Sequence, residues 1–342
     1  MFVSLARRSG GVVSVILVTG STGLLGNTIV RQLVEAGDKV RVLCRQSSDT
    51  RPLDGLDVEI VRGELNNAAE IDAAVEGCRA VIHCAAMIHL GQAKLAESRE
   101  VNVAGTLRLA QACSKIGARF VYISTINTFN AAESPDKPLD ETNDGGVEMT
   151  SCAYVISKRE AEAELADLAL QTTLDYVIVH PGFLLGPNDW KPSSGRMMLE
   201  VVRTPVVAAP PGSCSVCDAR DVAAAIVSSV DCGGSGEHYI LAGENMPYAD
   251  LWQNMIRVAG RRRIVYRLKP RVRHVGPVID GLKKLLRRDE GDVNGTSLAM
   301  GCLHHCYRSD KAEQHLGYAR RPLDETLSDT WQWLKTHHLE QS

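Results

Sequence analysis

The chain has 342 residues, 44% of them hydrophobic, and a formal net charge of −3. That is enough apolar material for a large core with or without a smaller second lobe, and the small net charge gives no reason to expect a nucleic-acid partner. Ten cysteines lie scattered without a regular framework, which points to reduced thiols in a cytoplasmic protein and away from a secreted disulfide scaffold.

Paired arginines precede an apolar run in "LARRSGGVVSVILVTG". The run is short, carries no small-residue cleavage pattern and flows straight into a glycine motif, so residues 1–14 read as an extension before a buried strand. Nothing elsewhere approaches ~18 continuous apolar residues, and no transmembrane segment is expected. "VSVILVT" is a continuous β-branched run, followed by a helical pattern from Leu24 to Ala36 with Leu25, Ile29 and Leu33 on one face. "KVRVLCR", "DVEIV" and "AVIHCAA" follow, then a long helical stretch before "RFVYIST", and a helix bearing Tyr154 before "DYVIVHP". Such alternation predicts an α/β fold, a doubly wound parallel sheet with ligands at the carboxyl ends of its strands. After Pro181 the chain is richer in Gly and Pro, which predicts a smaller C-terminal substrate-binding lobe. The expected division is a dinucleotide-binding domain over 15–182 and a lobe over 183–342, with a return to the first domain around 216–241.

"VTGSTGLLGNTIV" sets Gly20, Gly23 and Gly26 between a strand and a helix. Glycine permits close backbone approach, and the helix start offers free N–H groups to a pyrophosphate. Arg45 ends the second strand-like run, with Ser47, Ser48 and Arg51 close behind and no acid at the strand end. An arginine there accommodates a 2′-phosphate, where an acid would bind a ribose hydroxyl, so NADP is favoured over NAD.

Tyr154, Lys158, Ala161, Leu165 and Leu168 fall on one helical stripe. A lysine there needs a task, since lysine is seldom buried without a partner. A nicotinamide cofactor supplies one. Hydride transfer to a carbonyl builds charge on oxygen, and an ammonium one turn from a tyrosine would help that phenol to act as the acid. Ser124 and Thr125, at the end of "FVYIST", are candidate hydroxyl donors to the substrate oxygen.

"TGSTGLLG", "HCAA" at 83–86, "NVAGT" from Asn102, "YIST" and "YVISK" together resemble, in order, the extended short-chain dehydrogenase/reductases, also called the NAD-dependent epimerase/dehydratase family. The resemblance runs from about Val15 to the C-terminal "SDKAEQHLGYARRPLDETLSDTWQWL" and implies a Rossmann domain. It implies that Tyr154 is the acid/base, that Lys158 binds the nicotinamide ribose and lowers the tyrosine's pKa, and that Thr125 is the hydroxyl partner. Gly20, Thr22, Gly23, Leu24, Leu25 and Gly26 would cradle the dinucleotide, and Glu64 and Leu65 would stand beside the adenine. Cys84, Ala85 and Ala86 would line the cofactor, and Pro181 and Gly182 would approach the nicotinamide. Asn102 matches a structural asparagine of the family. The resemblance also suggests a homodimer through the Tyr154 helix and the long helix before it.

Nucleotide-sugar members carry an Arg-x-x-Asn pattern after the sixth strand, where this chain has His180 and Phe183. "HPGFLLGPND" and "GEHYILAGENMPYADL" look more like the dihydroflavonol-reductase-like and 3β-hydroxysteroid-dehydrogenase-like branch, which implies a small apolar or cyclic substrate. The alternatives are a nucleotide-sugar epimerase or dehydratase, and a non-catalytic cofactor-binding sensor or scaffold. "NTFNAAESPDKPLDETNDGGVEMTS" would form a substrate loop. Cys214, Cys217, Cys302, His304, His305 and Cys306 invite a zinc reading, but lie too far apart in sequence for the usual paired spacing, and no metal is expected. From Arg257 to Arg288 twelve Lys/Arg face the single acid Asp280. The favoured reading of residues 275–288 is a lobe helix packed on the core, the alternative a peripheral contact with an anionic membrane.

Overall fold

The computed structural model describes residues 15–149, 152–275 and 294–339. The extension over 1–14 and nearly all of the basic segment over 275–288 lie outside the described residues. The Rossmann half begins with β1 (Val15–Thr19), α1 (Leu24–Glu35), β2 (Lys39–Cys44), β3 (Val58–Arg62), α2 (Ala68–Val75) and β4 (Cys78–His83). A short α3 (Leu95–Arg99) passes through a π turn (Glu100–Ala104) into α4 (Gly105–Ile116), followed by β5 (Arg119–Ile123), α5 (Ala153–Gln171) and β6 (Tyr176–Pro181). After β7 (Phe183–Leu185), α6 (Ser194–Arg203), β8 (Val206–Ala209) and β9 (Ser213–Asp218) come α7 (Ala219–Cys232) and β10 (Glu237–Leu241). The chain ends with β11 (Glu244–Pro247), α8 (Tyr248–Val258), β12 (Ile264–Arg267), α9 (Gly295–Met300), α10 (Asp310–Leu316) and α11 (Leu323–His338).

Seven parallel strands form the main sheet in the order β10-β6-β5-β4-β1-β2-β3. Side-chain alternation divides its residues between two cores. Ile16, Val18, Val121, Val177 and Val179 pack toward α1 and α7, while Leu17, Phe120, Tyr122 and Ile178 pack toward α2, α4 and α5. With both faces covered, the central strands are apolar throughout, which is why they read as β-branched runs and not as alternating ones.

The lobe is held by a second sheet, β11-β9-β7, and a pair, β12-β8. β9 is buried along its whole length. Cys217 belongs to the main-sheet core, whereas Cys214 and Val216 belong to the lobe core with Met198, Leu251 and Met255. The two thiols of "CSVC" therefore face different cores, and none of the ten cysteines forms a disulfide. The segment after β5 is sewn to the lobe, where Ala132 bridges His304 and Leu139 bridges Tyr307, and to the edge of the main sheet, where the Ile240 amide donates to Glu141 at 2.8 Å. Among the described residues no helix is long and apolar enough to cross a membrane.

Arg321 ties the last helix to α7. It pairs with Asp221 at 2.8 Å and lies 3.5 Å from Asp218, whose side chain is 1% exposed and also meets Arg220 at 2.8 Å. Removing one partner of a mostly buried pair leaves the other charge uncompensated. Arg321→Met should lower the unfolding free energy by about 2–4 kcal/mol. The check is a urea titration at neutral pH, with the exposed Lys115→Met, which loses only a surface pair with Asp72, changing it little.

Candidate functional site

β1 lies between β4 and β2 in the sheet, so the strand order turns at its carboxyl end, where open α/β sheets bind ligands. Gly20 there has φ +68°, and a Cβ on it would stand 2.7 Å from the Ala85 amide nitrogen. A Cβ on Gly26 would run into the Gly20 carbonyl. The Thr19 hydroxyl accepts from the Ala85 amide at 3.2 Å and meets His83 Nδ1 at 2.7 Å, binding the glycine loop to residues 83–85. α1 starts after Gly23 with no side-chain cap and no acid in its first turn. Its free N–H groups and the closely approached backbone fit a dinucleotide pyrophosphate. Leu24, Leu25 and Gly26 are buried beneath the loop, Thr22 is half-buried, and Cys84, Ala85 and Ala86 flank it with increasing exposure.

At the end of β2 the cations have separate fates. Arg51 clamps Asp49 at 2.7 Å and holds that carboxyl down at about 2. Arg62 donates to the Arg45 and Ser48 carbonyls. The Arg45 guanidinium is exposed and has no partner among the described residues. Glu64 is anchored through its amide to Glu70 at 2.7 Å, and Leu65 packs beside α4.

α5 carries Tyr154 and Lys158 to the ends of β5 and β6. Lys158 is only 2% exposed; its Nζ donates to the Ile123 carbonyl at 2.6 Å and sits 4.4 Å above the Tyr122 ring and 6.0 Å from that of Tyr154. Burial brings its pKa down to about 8, with Glu162 opposing the fall. The Tyr154 hydroxyl bonds Thr125, yet burial, with Cys152 and Glu162, holds its pKa well above the ordinary phenol value. The sequence led us to expect the lysine to lower it; here desolvation outweighs a cation directed mainly at a carbonyl and another ring. Thr125 also accepts from the Asn127 amide at 3.3 Å, closing a turn that fixes its hydroxyl.

Asn102, in the π turn, holds Met87 through both its amide and carbonyl and donates to Ser157 at 2.9 Å, tying the 84–90 segment to α5. Pro181 is buried at the end of β6. A Cβ on Gly182 would stand 2.6 Å from the Ser215 carbonyl, so that glycine serves close packing on β9. Tyr154 packs against an apolar cluster that includes Met149, Cys152 and Met300, on which Leu90 and Leu303 also pack.

Sequence reasoning missed Glu162 and His238. Glu162, one turn beyond Lys158, accepts from the Ser124 hydroxyl and lies 3.7 Å from His180 Nδ1; His180 Nε2 is 2.9 Å from His238 Nδ1. The one available signal was His180 in place of an arginine. His238 carries none, because its strand joins β6 from a remote part of the chain.

Lys158 generates a stability test. Its folded pKa lies below that of an unfolded lysine, so the unfolded chain binds the proton more tightly. The resulting cost is fully present below about pH 8 and disappears as pH rises toward 10.5. Lys158→Met should therefore be more stable than the parent at pH 7, by about 1–3 kcal/mol. Urea unfolding at pH 7 and pH 10 should show this advantage shrinking at the higher pH.

Residues 16–242 match the model of the NAD dependent epimerase/dehydratase family. The chain is 32% identical over 259 residues to sterol demethylase protein B of Methylococcus capsulatus, covering 75% of this chain and 78% of that protein. It is 30% identical over 330 residues to a putative dihydroflavonol 4-reductase of Synechocystis, covering 94% of each. The crystal structure of gox2253 superposes with a TM-score of 0.83 at 30% identity, over 95% of this chain and 99% of that one. UDP-glucose 4-epimerase of Thermus thermophilus in complex with NAD shares the fold, at a TM-score of 0.73 and 21% identity over 94% of this chain and 99% of that one. With its seven-stranded Rossmann sheet and glycine loop, the chain is a member of the NAD-dependent epimerase/dehydratase family.

Proposed function

We propose that the protein is an NADP(H)-dependent oxidoreductase that interconverts a hydroxyl and a carbonyl on an apolar or cyclic small molecule. The observation that carries this reading is the apolar cluster on which Tyr154 packs: Met149 and Met300 belong to it, and Leu90 and Leu303 pack against it as well. A nucleotide sugar needs groups for its phosphates, and His180 and Phe183 stand where the sugar-processing pattern has arginine and asparagine. A flat hydrocarbon frame gains from burial against such a cluster at roughly 25 cal/mol per Å². The names of the sterol demethylase and dihydroflavonol 4-reductase relatives support the same substrate class.

The geometry supports the following division of labour. The glycine loop and the N-terminus of α1 hold the pyrophosphate, and Arg45 is the residue free to meet a 2′-phosphate. When bound, the nicotinamide supplies hydride transfer. The Thr125 and Tyr154 hydroxyls, already hydrogen-bonded to each other, orient the substrate oxygen, and Tyr154 gives it a proton in reduction or removes one in oxidation. Lys158 orients the nicotinamide ribose and places positive charge near the developing phenolate. This intact set of proton-transfer groups argues against a non-catalytic sensor.

Two measurements test the reading. In fluorescence titrations NADPH should bind more tightly than NADH, and Arg45→Asp should weaken NADPH by about tenfold or more, as loss of a charged hydrogen bond implies, while sparing NADH. Equal binding of both in the parent chain removes the 2′-phosphate argument. In a ketone and alcohol screen, Tyr154→Phe should lower kcat/KM by about 10²–10⁴, the range for a lost general acid, with cofactor affinity nearly unchanged. Turnover of a nucleotide sugar without net cofactor consumption would replace the proposal with an epimerase.

A further inference from the structure

Behind Thr125, on the side away from the glycine loop, Glu162, His180 and His238 converge from α5, β6 and β10. Two carboxylate-and-imidazole chemistries fit such a trio, a metal site or a hydrogen-bonded chain, and the atom pairing separates them. A metal ion needs ligand atoms that point to one centre at about 2 Å each. Here His180 turns its two nitrogens to different neighbours. Its Nδ1 faces the Thr125 carbonyl at 3.2 Å, the Thr128 hydroxyl at 3.2 Å and Glu162 at 3.7 Å, while Nε2 faces His238 Nδ1 at 2.9 Å. The imidazole is a link between its neighbours.

Hydrogen-bond direction follows from donor and acceptor chemistry. The Thr125 carbonyl can only accept, so neutral His180 carries its proton on Nδ1. Nε2 then accepts from His238 Nδ1–H, which leaves His238 Nε2 as a lone pair. The His238 residue is only partly buried, on the edge strand of the sheet. The inner end is fully enclosed: His180 is 0% exposed and lies beneath the Phe129 ring, with centroids 4.6 Å apart. The Thr128 hydroxyl lies 3.2 Å from His180 Nδ1, donates to the Thr125 carbonyl at 2.9 Å and is a side-chain neighbour of Glu162.

We propose that His238, Nδ1-protonated His180 and Thr128 form a proton path from solvent to Glu162, and that Glu162 is a positioning residue whose proton sets the charge beside Tyr154 and Lys158. The hop balances. A solvent proton joins His238 Nε2, the His238 Nδ1 proton passes to His180 Nε2, and the His180 Nδ1 proton passes to the Thr128 oxygen while that hydroxyl's own hydrogen turns from the Thr125 carbonyl to a Glu162 oxygen. One proton has moved inward and both rings stay neutral, with exchanged tautomers; reversal restores them. The groups facing Glu162 are Lys158 and Tyr154 on its own helix, Ser124 and Thr125 after β5, Thr128, His180 on β6 and His238 on β10, with Lys311 behind His238. Burial favours the protonated carboxyl and the neutral imidazoles, which suits a path that carries protons without holding net charge. The inference rests on the oxidoreductase reading only in naming Tyr154 as the group that benefits.

Its test needs no turnover. Infrared difference spectra of the full chain against Glu162→Gln should show a buried carboxylic-acid C=O band between pH 5 and pH 8, and transfer to deuterium oxide should shift that band. In His238→Phe, which keeps a ring on the edge strand and breaks the path, the band should persist and its deuterium shift should slow by about tenfold or more. No protonated carboxyl in that range, or exchange in His238→Phe as fast as in the parent, overturns the proposal. Nitrogen-15 spectra of the unaltered histidine-labelled chain give an arm independent of any variant's folding. They should report His180 and His238 as neutral at pH 7, as Nδ1–H tautomers where Glu162 is ionised and Nε2–H tautomers where it holds the proton; an imidazolium at either ring, or tautomers that do not follow the carboxyl band, overturns the proposal. Should no ketone or alcohol be turned over while band, exchange and tautomers hold, the oxidoreductase reading falls and the path stands.

Discussion

The ammonium group of Lys158, enclosed at the meeting of α5, β5 and β4, is the constraint around which the site is arranged. A buried lysine is costly, and the surrounding elements limit that cost in specific ways. The last carbonyl of β5, at Ile123, points at Nζ, the Tyr122 face lies below it, and the Glu162 carboxyl stands one turn along the same helix. Each of these requires α5 to sit at a fixed height over the strand ends. Asn102 sets that height from the other side, gripping Ser157 and Met87 together. Stability given up in this way at a buried charge is a trade common at functional sites.

The same enclosure separates two environments a few ångströms apart. On the lobe side Tyr154 meets methionines and leucines. On the sheet side Ser124, Thr125, Thr128 and His180 form a connected polar layer. Thr125 and Tyr154 thus stand at the border between an apolar cluster and a hydrogen-bonded interior, where a low local dielectric strengthens electrostatic effects.

Much of this was legible in the sequence, and the reasons are local. The β-branched runs name the central strands because both sheet faces are covered, and the Gly20–Gly26 spacing marks a tight loop because backbone must touch backbone there. Tyr154 and Lys158 stand out because a lysine on an apolar stripe is anomalous. What could not be read depends on pairing across distance. That Arg51 is committed to Asp49 while Arg45 stays uncommitted is decided by a turn geometry that composition does not encode. His238 acquires meaning only when β10, separated from β6 by much of the lobe, lies down beside it. Glu162 reads as one more surface acid of a charged helix until Ser124 is brought against it. The tyrosine's acidity was misjudged for a related reason: the sequence shows a neighbouring cation but not the desolvation that outweighs it.

β9 has a mechanical meaning as well. A strand with Cys217 locked into one core and Cys214 and Val216 into the other belongs to neither body alone. Close-packed interiors resist sliding, so such a strand transmits displacement without absorbing it. Moving the lobe against the sheet would therefore disturb both cores at once, which makes this strand the stiff joint between them.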